Sequence, residues 1–437
     1  MIPFSPPRTR SPETYNGLMS DDILSRFLRY VRIDTQSQDG VEDRYPSTPG
    51  QLDLLRLLAK ELKAMGASGV RMDQHGYVTA AIPSNLPKGH PARGKVPPVG
   101  FIAHVDTSDA ESGKGIKPRV FKYRGGDIRF PKDRTVRIKA AGDAALRKEV
   151  GHTLITSDGT TLLGADDKAG VSVIMDLVRR LRKDSSLLHG EVKVAFTPDE
   201  EVGNGTKFFD AKAFGAKAAY TFDGYEPGQL NKETFSADSA VITVTGVETH
   251  PGEAKDVMVN SIRAMADIIA RLPRKMAPET TSGYEPYIHP HDIHGSTGKT
   301  VLKFLLRDFK TAGLAKQKRI LERIITEVRR RHPKAKFELK VTESYRNMRA
   351  GLEKDSRVLA TLWEAVRRAG AVPRWEPIRG GTDGSRLTAQ GLPTPNIFMG
   401  GGNFHSRAEW ASLEGMRTAS DTAVHLLRVW VEQCSQP

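Results

Sequence analysis

Two glutamates stand side by side in the stretch AFTPDEEVGNG, directly after an apolar run that is typical of a buried strand. Like charges in contact repel each other, so the pairing requires an explanation. Adjacent side chains project in different directions, so one of Glu200 and Glu201 can bind a cation while the other acts as general base on a nearby water. A bound cation also offsets the repulsion. The spacing alone does not decide which glutamate has which role.

Polar residues of the same kind follow other apolar runs. His104 ends GFIAH, Asp106 stands two residues further on, and Asp166 in LLGADDKAG stands at the entrance to a helix. Asp223 follows YTF, and His405 follows PNIFMGGGNF. In open α/β sheets, ligands gather at the carboxyl ends of the strands. We therefore expect these side chains to converge at one edge of a sheet.

The residue types at these strand ends favour a metal site. Histidines and carboxylates without a thiolate suit Zn²⁺, Mn²⁺ or Co²⁺. Two histidines and three carboxylates can hold two ions if one carboxylate bridges them, and each ion then keeps an open position for water. The arrangement predicts a hydrolase with two metal ions.

The elements that must position these residues alternate between strands and helices. The runs at 99–104, 192–197, 218–222 and 395–400 are apolar on both faces, and helical patterns such as 170–181 lie between them. This pattern predicts an α/β fold, in which a mainly parallel sheet is covered by helices on both sides.

The middle of the chain has a different pattern. It has the order β-α-β-β-α-β, from SAVITVTG at 239–246 to KFELKVT at 336–342. We predict an inserted two-layer α+β domain with a split βαβ order at residues 235–345, so that residues 21–234 and 346–437 form the catalytic domain. Residues 1–20 are rich in proline and polar residues, and we expect a disordered extension there.

Composition excludes several classes of protein. The chain has 437 residues, a net charge of +14 and a single cysteine, Cys434, so it has no intrachain disulfide and no thiolate cluster; this favours a reducing, cytoplasmic compartment. No apolar run approaches the roughly 20 residues that span a bilayer, so we expect no membrane partner. The basic stretch 316–340 has the pattern of a solvated helix face, so we expect no nucleic-acid partner.

Five motifs together resemble those of a known family. HVDTS, GADDKAG, TPDEEVG, TFDG and NFHS occur in this order around the inserted domain and resemble the M20 metallopeptidase family. RGGTDG, THPGEAKDVMVNSI and DTQS are similar to motifs of its tripeptide aminopeptidases. The resemblance runs from about residue 22 to the C-terminus. It implies two zinc ions, with Mn²⁺ or Co²⁺ as substitutes.

The resemblance also implies a role for each site residue. It makes Glu200 the general acid and base, and it makes Asp106 the residue that holds the imidazole of His104. The implied ligands fall into two groups that share one bridging carboxylate: His104, Asp166 and Asp223 for one zinc ion, and Asp166, Glu201 and His405 for the other.

Three further residues receive roles from the same resemblance. His250 in THPG resembles a histidine that approaches the scissile carbonyl oxygen, in some dimeric members from the partner subunit. Arg307 in LLRDF resembles an arginine that can bind the terminal carboxylate of the peptide, and Arg379 can do similar work. A homodimer through the inserted domain follows from the same resemblance.

We therefore expect a dizinc exopeptidase that releases the N-terminal residue from short peptides, most readily tripeptides. Another amide hydrolase of the same fold, such as a dipeptidase, carboxypeptidase or deacylase, is an alternative, because the metal ligands are shared and the pocket sets specificity. A non-catalytic polyanion-binding protein is a second alternative. The presence of Glu200 argues against it, because a binding protein needs no general base. His289, His291 and His294 in YIHPHDIHG are expected to be solvated loop residues and not a third metal cluster.

Overall fold

The structure is a computed structural model that describes residues 22–436, so the extension expected at residues 1–20 lies outside the described residues. The strands are β1 (Ser68–Met72), β2 (Val78–Ile82), β3 (Val99–His104), β4 (Arg119–Lys122), β5 (Ile128–Arg129), β6 (Arg137–Ile138), β7 (Thr153–Thr156), β8 (Val192–Thr197), β9 (Ala218–Gly224), β10 (Gln229–Asn231), β11 (Ser236–Thr245), β12 (Tyr287–Gly295), β13 (Lys299–Asp308), β14 (Lys336–Tyr345), β15 (Arg374–Trp375), β16 (Asn396–Phe398), β17 (Gly401–Gly402) and β18 (Trp410–Ser412). The helices are α1 (Ile23–Tyr30), α2 (Gly50–Ala64), α3 (Ala144–Lys148), α4 (Ala165–Lys183), α5 (Ala211–Phe214), α6 (Ser261–Ile269), α7 (Thr311–Arg331), α8 (Arg349–Leu352), α9 (Ser356–Arg368), α10 (Asp383–Ala389) and α11 (Leu413–Ser435). Short 3-10 turns lie at Ala140–Gly142, Pro251–Glu253, Arg274–Met276 and Pro278–Thr280.

An eight-stranded sheet, here called the main sheet, has the order β1-β2-β8-β3-β9-β16-β10-β15. Its central strands β8, β3, β9 and β16 are parallel, whereas β2 runs antiparallel to both of its neighbours, β8 and β1. Each residue of β3 is buried, as expected for a strand that is covered on both faces. This sheet and its helices confirm the predicted α/β fold.

Helices cover both faces of the main sheet. Phe101 of β3 belongs to the large apolar core that includes α4 and α11. Ile102, the next residue, packs on the opposite face with Phe214 of α5 and Leu387 of α10. The alternation follows from the strand period of two, since successive side chains point to opposite faces. A separate four-stranded sheet has the order β17-β18-β7-β4.

A four-stranded antiparallel sheet, here called the small sheet, has the order β12-β13-β11-β14. The chain order of its elements is β11-α6-β12-β13-α7-β14, which is the predicted split βαβ order. Ile242 of β11 and Leu302 of β13 pack against Met265 of α6 and Leu321 of α7 in a separate apolar core. The two-layer α+β architecture predicted for this segment is therefore confirmed, while its boundaries stay a prediction.

The three histidines of YIHPHDIHG lie on β12, so their expected placement in a loop was wrong, whereas His291 and His294 are exposed as expected. β12 is an edge strand, and its pairing with β13 has an irregularity between Pro290 and Asp292. Proline is tolerated there because an edge strand does not need every N–H for pairing. Across residues 22–436, no helix combines the length and the hydropathy that crossing a bilayer requires.

Candidate active site

The carboxyl end of the main sheet brings together the first group of expected ligands. His104 ends β3, Asp223 lies near the end of β9, and Asp166 lies at the start of α4, where non-helical φ and ψ angles interrupt the first turn. The Nε2 atom of His104 lies 3.1 Å from Oδ1 of Asp166 and 3.8 Å from Oδ1 of Asp223. These three residues form a candidate metal-ligand group.

A second candidate group shares Asp166 with the first. The Nε2 atom of His405 lies 3.2 Å from Oδ2 of Asp166 and 2.9 Å from Oε2 of Glu201. The two oxygens of Asp166 therefore face different histidines, as a bridging carboxylate requires. The side chain of His405 is 47% exposed, whereas that of His104 is 3% exposed. The first group is thus buried, and the second opens toward solvent.

The residues at this edge fit a pair of metal ions. Ligands at about 2.0–2.1 Å from a tetrahedral zinc ion are about 3.3 Å apart from one another, close to the spacing of the ligand atoms here. Within the described part of the chain, Oε1 of Glu201 is buried and has no hydrogen-bond partner. A buried carboxylate oxygen without a donor is costly unless a cation accompanies it. The donor set of imidazoles and carboxylates is also that of zinc, manganese or cobalt.

The pKa shifts around Asp166 have a common cause. Burial opposes protonation of both histidines. Contacts with Asp106 and Asp166 nevertheless raise the pKa of His104 well above its ordinary value. Contacts with Asp166 and Glu201 likewise raise the pKa of His405 to about 11. Burial opposes ionisation of Asp166, yet hydrogen bonds from both histidines hold its pKa below the ordinary value. The site therefore favours positive charge where the two histidines meet Asp166.

The other carboxylates shift in the opposite direction. Burial, followed by the charge of Asp166, raises the pKa of Glu201 to about 7, although a hydrogen bond from His405 lowers it. Burial also raises the pKa of Asp223. Several carboxyl groups held together in a dry site can be ionised at once only if positive charge accompanies them. Divalent cations meet that requirement.

Glu200 lies beside both groups and lines the cavity in front of them. Burial and the charge of Asp223 raise its pKa well above the ordinary value. A raised pKa lets a carboxylate take up a proton and later release it near neutral pH, as an acid–base catalyst must. No cation-binding group contains Glu200 among the described residues.

Asp106 holds the two glutamates and His104 in one arrangement. It is fully buried, and its Oδ1 and Oδ2 atoms accept hydrogen bonds from the backbone N–H groups of Glu200 at 3.0 Å and Glu201 at 3.1 Å. The Nδ1 atom of His104 lies 3.3 Å from Oδ1 of Asp106. Sequence reasoning anticipated only the contact with His104. The backbone contacts explain how two adjacent glutamates keep different orientations.

A cavity of about 920 Å³ lies between this edge of the main sheet and the small sheet. Arg307 lines it, and Nη1 of Arg307 donates to the backbone oxygen of Leu306 at 3.0 Å. Arg379 also lines it, but its guanidinium donates to the backbone oxygens of Gly283 and Glu285 at 2.8 and 2.9 Å. The cavity lining therefore combines carboxylates of the candidate metal site with the basic side chains of Arg307 and Arg379.

His250 does not reach this cavity in the single chain. Its side chain is exposed, and Nδ1 accepts a hydrogen bond from the backbone N–H of Gly252 at 3.2 Å. His250 caps the 3-10 turn at Pro251–Glu253. The structure therefore brings together the expected ligands, Glu200 and Asp106 within one chain, and leaves His250 apart from them.

Comparison with known proteins identifies the family. The profile of peptidase family M20/M25/M40 matches residues 155–429. Peptidase T from Shouchella clausii (strain KSM-K16) is 43% identical over 408 residues, which cover 93% of this chain and 98% of that protein. The chain belongs to peptidase family M20. This confirms the M20 resemblance of the sequence motifs.

Solved structures similar to this M20 chain share its fold over almost the whole length. The aminopeptidase PepT from Bacillus cereus ATCC 10987 has a TM-score of 0.71 at 20% identity and covers 95% of this chain and 100% of its own. A tripeptidase from Staphylococcus aureus subsp. aureus Mu50 has a TM-score of 0.73 at 19% identity and covers 95% of this chain and 100% of its own.

Sequence reasoning missed one buried glutamate of the M20 site. Glu409 is 1% exposed and lies 243 residues from Asp166. Its Oε2 accepts hydrogen bonds from the backbone N–H groups of Leu163 at 2.7 Å and Gly164 at 2.8 Å, and its Oε1 accepts one from Asp166 at 3.0 Å. Burial raises the pKa of Glu409 to about 7. Glu409 thus holds the backbone of the segment that carries the shared ligand.

Sequence reasoning assigned no role to two aspartates that stand next to expected site residues. Asp199 has φ of 58°, in the left-handed region, and its carboxylate accepts hydrogen bonds from Ser47 N at 2.6 Å and Gln51 Nε2 at 2.7 Å. It therefore ties the glutamate segment to the start of α2. Asp167 is fully buried and accepts a hydrogen bond from the backbone N–H of His104 at 3.2 Å. The consecutive acidic residues in TPDEE and GADD were the only available signal.

Proposed function

We propose that this chain is a dizinc aminopeptidase that releases the N-terminal residue from tripeptides. Membership of family M20 supports peptide-bond hydrolysis. The similar proteins named above are a peptidase T, an aminopeptidase and a tripeptidase, and these names support the bond that is cleaved and the substrate length. The single observation that carries the proposal is the pair of ligand groups that share Asp166, with Glu200 beside them.

The proposal assigns each ligand group to one zinc ion. His104 and Asp223 would hold the buried ion, Glu201 and His405 would hold the more exposed one, and Asp166 would contact both. Zinc ions bound there would supply Lewis acidity toward the peptide carbonyl and would lower the pKa of water.

Glu200 performs the proton transfers in this proposal. Its carboxylate takes a proton from the attacking water and then passes it to the departing amine nitrogen, so no net proton is consumed at the glutamate. The raised pKa of Glu200 suits both transfers. Asp106 keeps Glu200 in position through the backbone N–H of Glu200, and it keeps His104 in position through Nδ1.

The charges of the cavity support cleavage near the N-terminus of a short peptide. A free tripeptide carries an ammonium group at one end and a carboxylate at the other. The carboxylates of the site line the cavity from the main sheet, and Arg307 lines it from β13 of the small sheet. A peptide held with complementary charges places its N-terminal half beside Glu200. A volume of about 920 Å³ is sufficient for a short peptide.

The remaining roles are part of the same proposal. Arg307 binds the terminal carboxylate of the peptide, and Arg379 ties the cavity wall to the backbone at 283–285. In a homodimer, His250 reaches the scissile carbonyl oxygen of the peptide that is bound in the partner subunit. We propose a cytoplasmic enzyme whose partner molecules are short peptides, with no nucleic-acid or membrane partner.

The test is metal-dependent turnover of a tripeptide by the wild type, by Glu200→Ala and by Glu338→Ala, an exposed glutamate on β14. We expect chelation to abolish turnover, zinc to restore it, and Glu200→Ala to lower kcat by about 10²–10⁴-fold while two metal ions remain bound. Glu338→Ala should match the wild type.

Three outcomes would overturn parts of the proposal. Release of C-terminal residues or acyl groups would contradict the aminopeptidase assignment and leave the metal site intact. Failure of the wild type to bind metal would contradict the ligand assignment. Full activity of Glu200→Ala would contradict the role of Glu200.

A further inference from the structure

Arg386 is a cavity residue that neither the sequence motifs nor the proposed mechanism has used. It lies on α10, lines the cavity together with Glu200 and Arg307, and is half-buried. Within residues 22–436 its guanidinium makes no hydrogen bond, and no carboxylate lies within ion-pair distance. None of its nitrogens is among the buried polar atoms without a partner in the described part of the chain, so its donors are open to the cavity and accessible to an anionic ligand.

The nearest acid on the same helix does not satisfy Arg386. Asp383 lies at the start of α10, and its Oδ2 accepts a hydrogen bond from Oγ1 of Thr197 at 2.9 Å. Burial raises the pKa of Asp383 to about 6, although the charge of Arg386 lowers it. The two side chains interact electrostatically without forming an ion pair. Asp383 therefore leaves the donors of Arg386 available to a ligand in the cavity that Arg386 lines.

A second guanidinium meets Arg386 at the same aromatic ring. The Cζ atom of Arg386 lies 6.0 Å from the ring centre of Tyr345, and the Cζ atom of Arg307 lies 5.5 Å from it. The ring itself packs against Gly381, where an added Cβ would come within 2.7 Å of it. The two arginines come from different parts of the fold: Arg386 lies on α10, which packs on the main sheet, and Arg307 lies on β13 of the small sheet. The positively charged guanidinium groups of Arg307 and Arg386 repel each other at the ring of Tyr345. An anion that binds both groups would offset this repulsion, so the arrangement favours an anionic ligand.

Arg386 also lies against the turn that carries Glu200. The backbone N–H of Gly203 donates to the backbone oxygen of Glu200 at 2.7 Å and closes that turn. A Cβ at Gly203 would lie 3.1 Å from Nη2 of Arg386. Arg386 therefore lies close to the turn that carries the candidate base. An extended chain advances by about 3.3–3.6 Å per residue, so two residues beyond the scissile bond reach only about 7 Å from it.

We propose that Arg386, together with Arg307, binds the C-terminal carboxylate of the substrate and thereby selects peptides by length. This inference rests on the proposed tripeptide aminopeptidase function. A guanidinium binds a carboxylate through two parallel hydrogen bonds, which a C-terminal amide cannot accept in the same way. A peptide whose free carboxylate lies two residues beyond the cleaved bond reaches both arginines. A C-terminal amide loses that interaction.

The test compares kcat/KM for one tripeptide and for its C-terminal amide, using the wild type, Arg386→Ala and Arg386→Lys. We expect Arg386→Ala to lose about 10–100-fold on the free acid, mainly through KM, and less than about threefold on the amide. Arg386→Lys should recover part of the loss, because lysine keeps the charge but not the paired donors. Circular dichroism and bound metal content establish that each variant is folded.

Lys303→Ala is the matched control. Lys303 lines the same cavity, but its Nζ already lies 2.9 Å from Oδ2 of Asp292. This variant should keep the wild-type ratio of acid to amide. A change in that ratio as large as the change in Arg386→Ala would overturn the specific role of Arg386.

The outcomes separate this inference from the function on which it rests. Equal losses of Arg386→Ala on the acid and on the amide would overturn the inference alone, and they would mean that Arg386 supports the Glu200 turn through Gly203. A wild type that cleaves neither substrate, with two metal ions bound, would overturn the proposed function. A wild type that cleaves the amide as well as the acid would overturn the inference and leave the aminopeptidase function in place.

Discussion

The carboxyl edge of the main sheet and the core of the small sheet solve opposite problems. In the small sheet, buried aliphatic side chains such as Ile242 and Leu321 pack on one face, and the other face, which lines the cavity, carries polar side chains such as Lys303 beside apolar ones such as Val241. At the edge of the main sheet, charged residues such as Asp106, Asp167 and Glu409 are almost completely buried. Apolar burial stabilises the small sheet directly, whereas buried carboxylates stabilise nothing unless donors or cations surround them.

The contrast shows where function and stability are separated in this molecule. Both carboxylate oxygens of Asp106, Asp166 and Glu409 accept from a backbone N–H or contact a histidine. These contacts position the expected ligands, although burying the carboxylates costs desolvation free energy. The small sheet contributes a wall of the cavity and needs only a regular core to do so. Substitutions in the two regions should therefore affect different measurements.

The largest effect on stability is expected in the small sheet. Leu321 on α7 is fully buried, and Leu321→Ala should lower the free energy of unfolding by about 2–5 kcal/mol, because it removes apolar contacts and leaves a cavity. Urea denaturation measures this loss. The metal content of the folded variant should not change.

Arg323→Ala on the exposed side of the same helix is the control and should change the free energy of unfolding by less than about 0.5 kcal/mol. If Leu321→Ala lost metal before it unfolded, the small sheet would be part of the metal site, and the separation drawn above would be wrong.

An intermediate effect is expected at Glu409, and it should appear in metal affinity. Glu409→Gln replaces one acceptor oxygen by an NH₂ group that must face backbone N–H groups of the segment carrying Asp166. Residues that orient metal ligands typically change affinity by about 10–100-fold. Competition with a fluorescent zinc chelator measures the change.

Glu414→Gln is a matched control, since Glu414 also accepts from a backbone N–H, that of Thr153 at 2.7 Å, but does not touch the ligand segment. Equal zinc affinity in Glu409→Gln and the wild type would show that the backbone of this segment holds its place without Glu409.

The smallest effect is expected at a surface ion pair remote from both regions. Arg367 and Arg368 hold the pKa of Glu364 at about 2, below its ordinary value. Because the pKa of Glu364 is lower in the folded than in the unfolded state, its ionised form stabilises the folded protein at pH values above about 4.5. This contribution to the free energy of unfolding is lost as the pH falls from about 4.5 toward 2. Glu364→Gln should lower the free energy of unfolding by only about 0.5 kcal/mol near pH 7.

Thermal denaturation at pH 7 and at pH 3 measures the difference between Glu364→Gln and the wild type. The difference should shrink at pH 3 and at high salt, since exposed charges are screened. A loss as large as that of Leu321→Ala would mean that surface charge contributes to stability as strongly as the small-sheet core.

The amino-acid sequence by itself determined the fold class and the family of this protein. Runs that are apolar on both faces predicted the strands at the centre of the main sheet, because only a strand covered on both faces needs that pattern. The order of strands and helices in the middle segment predicted the small sheet. The polar residues at strand ends predicted where His104, Asp166 and His405 would meet, and their roles as ligands stay a prediction.

Only the tertiary structure decided which other residues complete the site. Glu409 accepts from the backbone of Asp166 across 243 residues of sequence, and Arg386 meets Arg307 only because α10 and β13 face the same cavity. It also placed His289 on an edge strand, where Pro290 is tolerated because no strand among residues 22–436 pairs with the outer side of β12. Local patterns reflect periodicity and turn chemistry. Contacts between distant segments depend on how the whole chain packs, which local patterns do not specify.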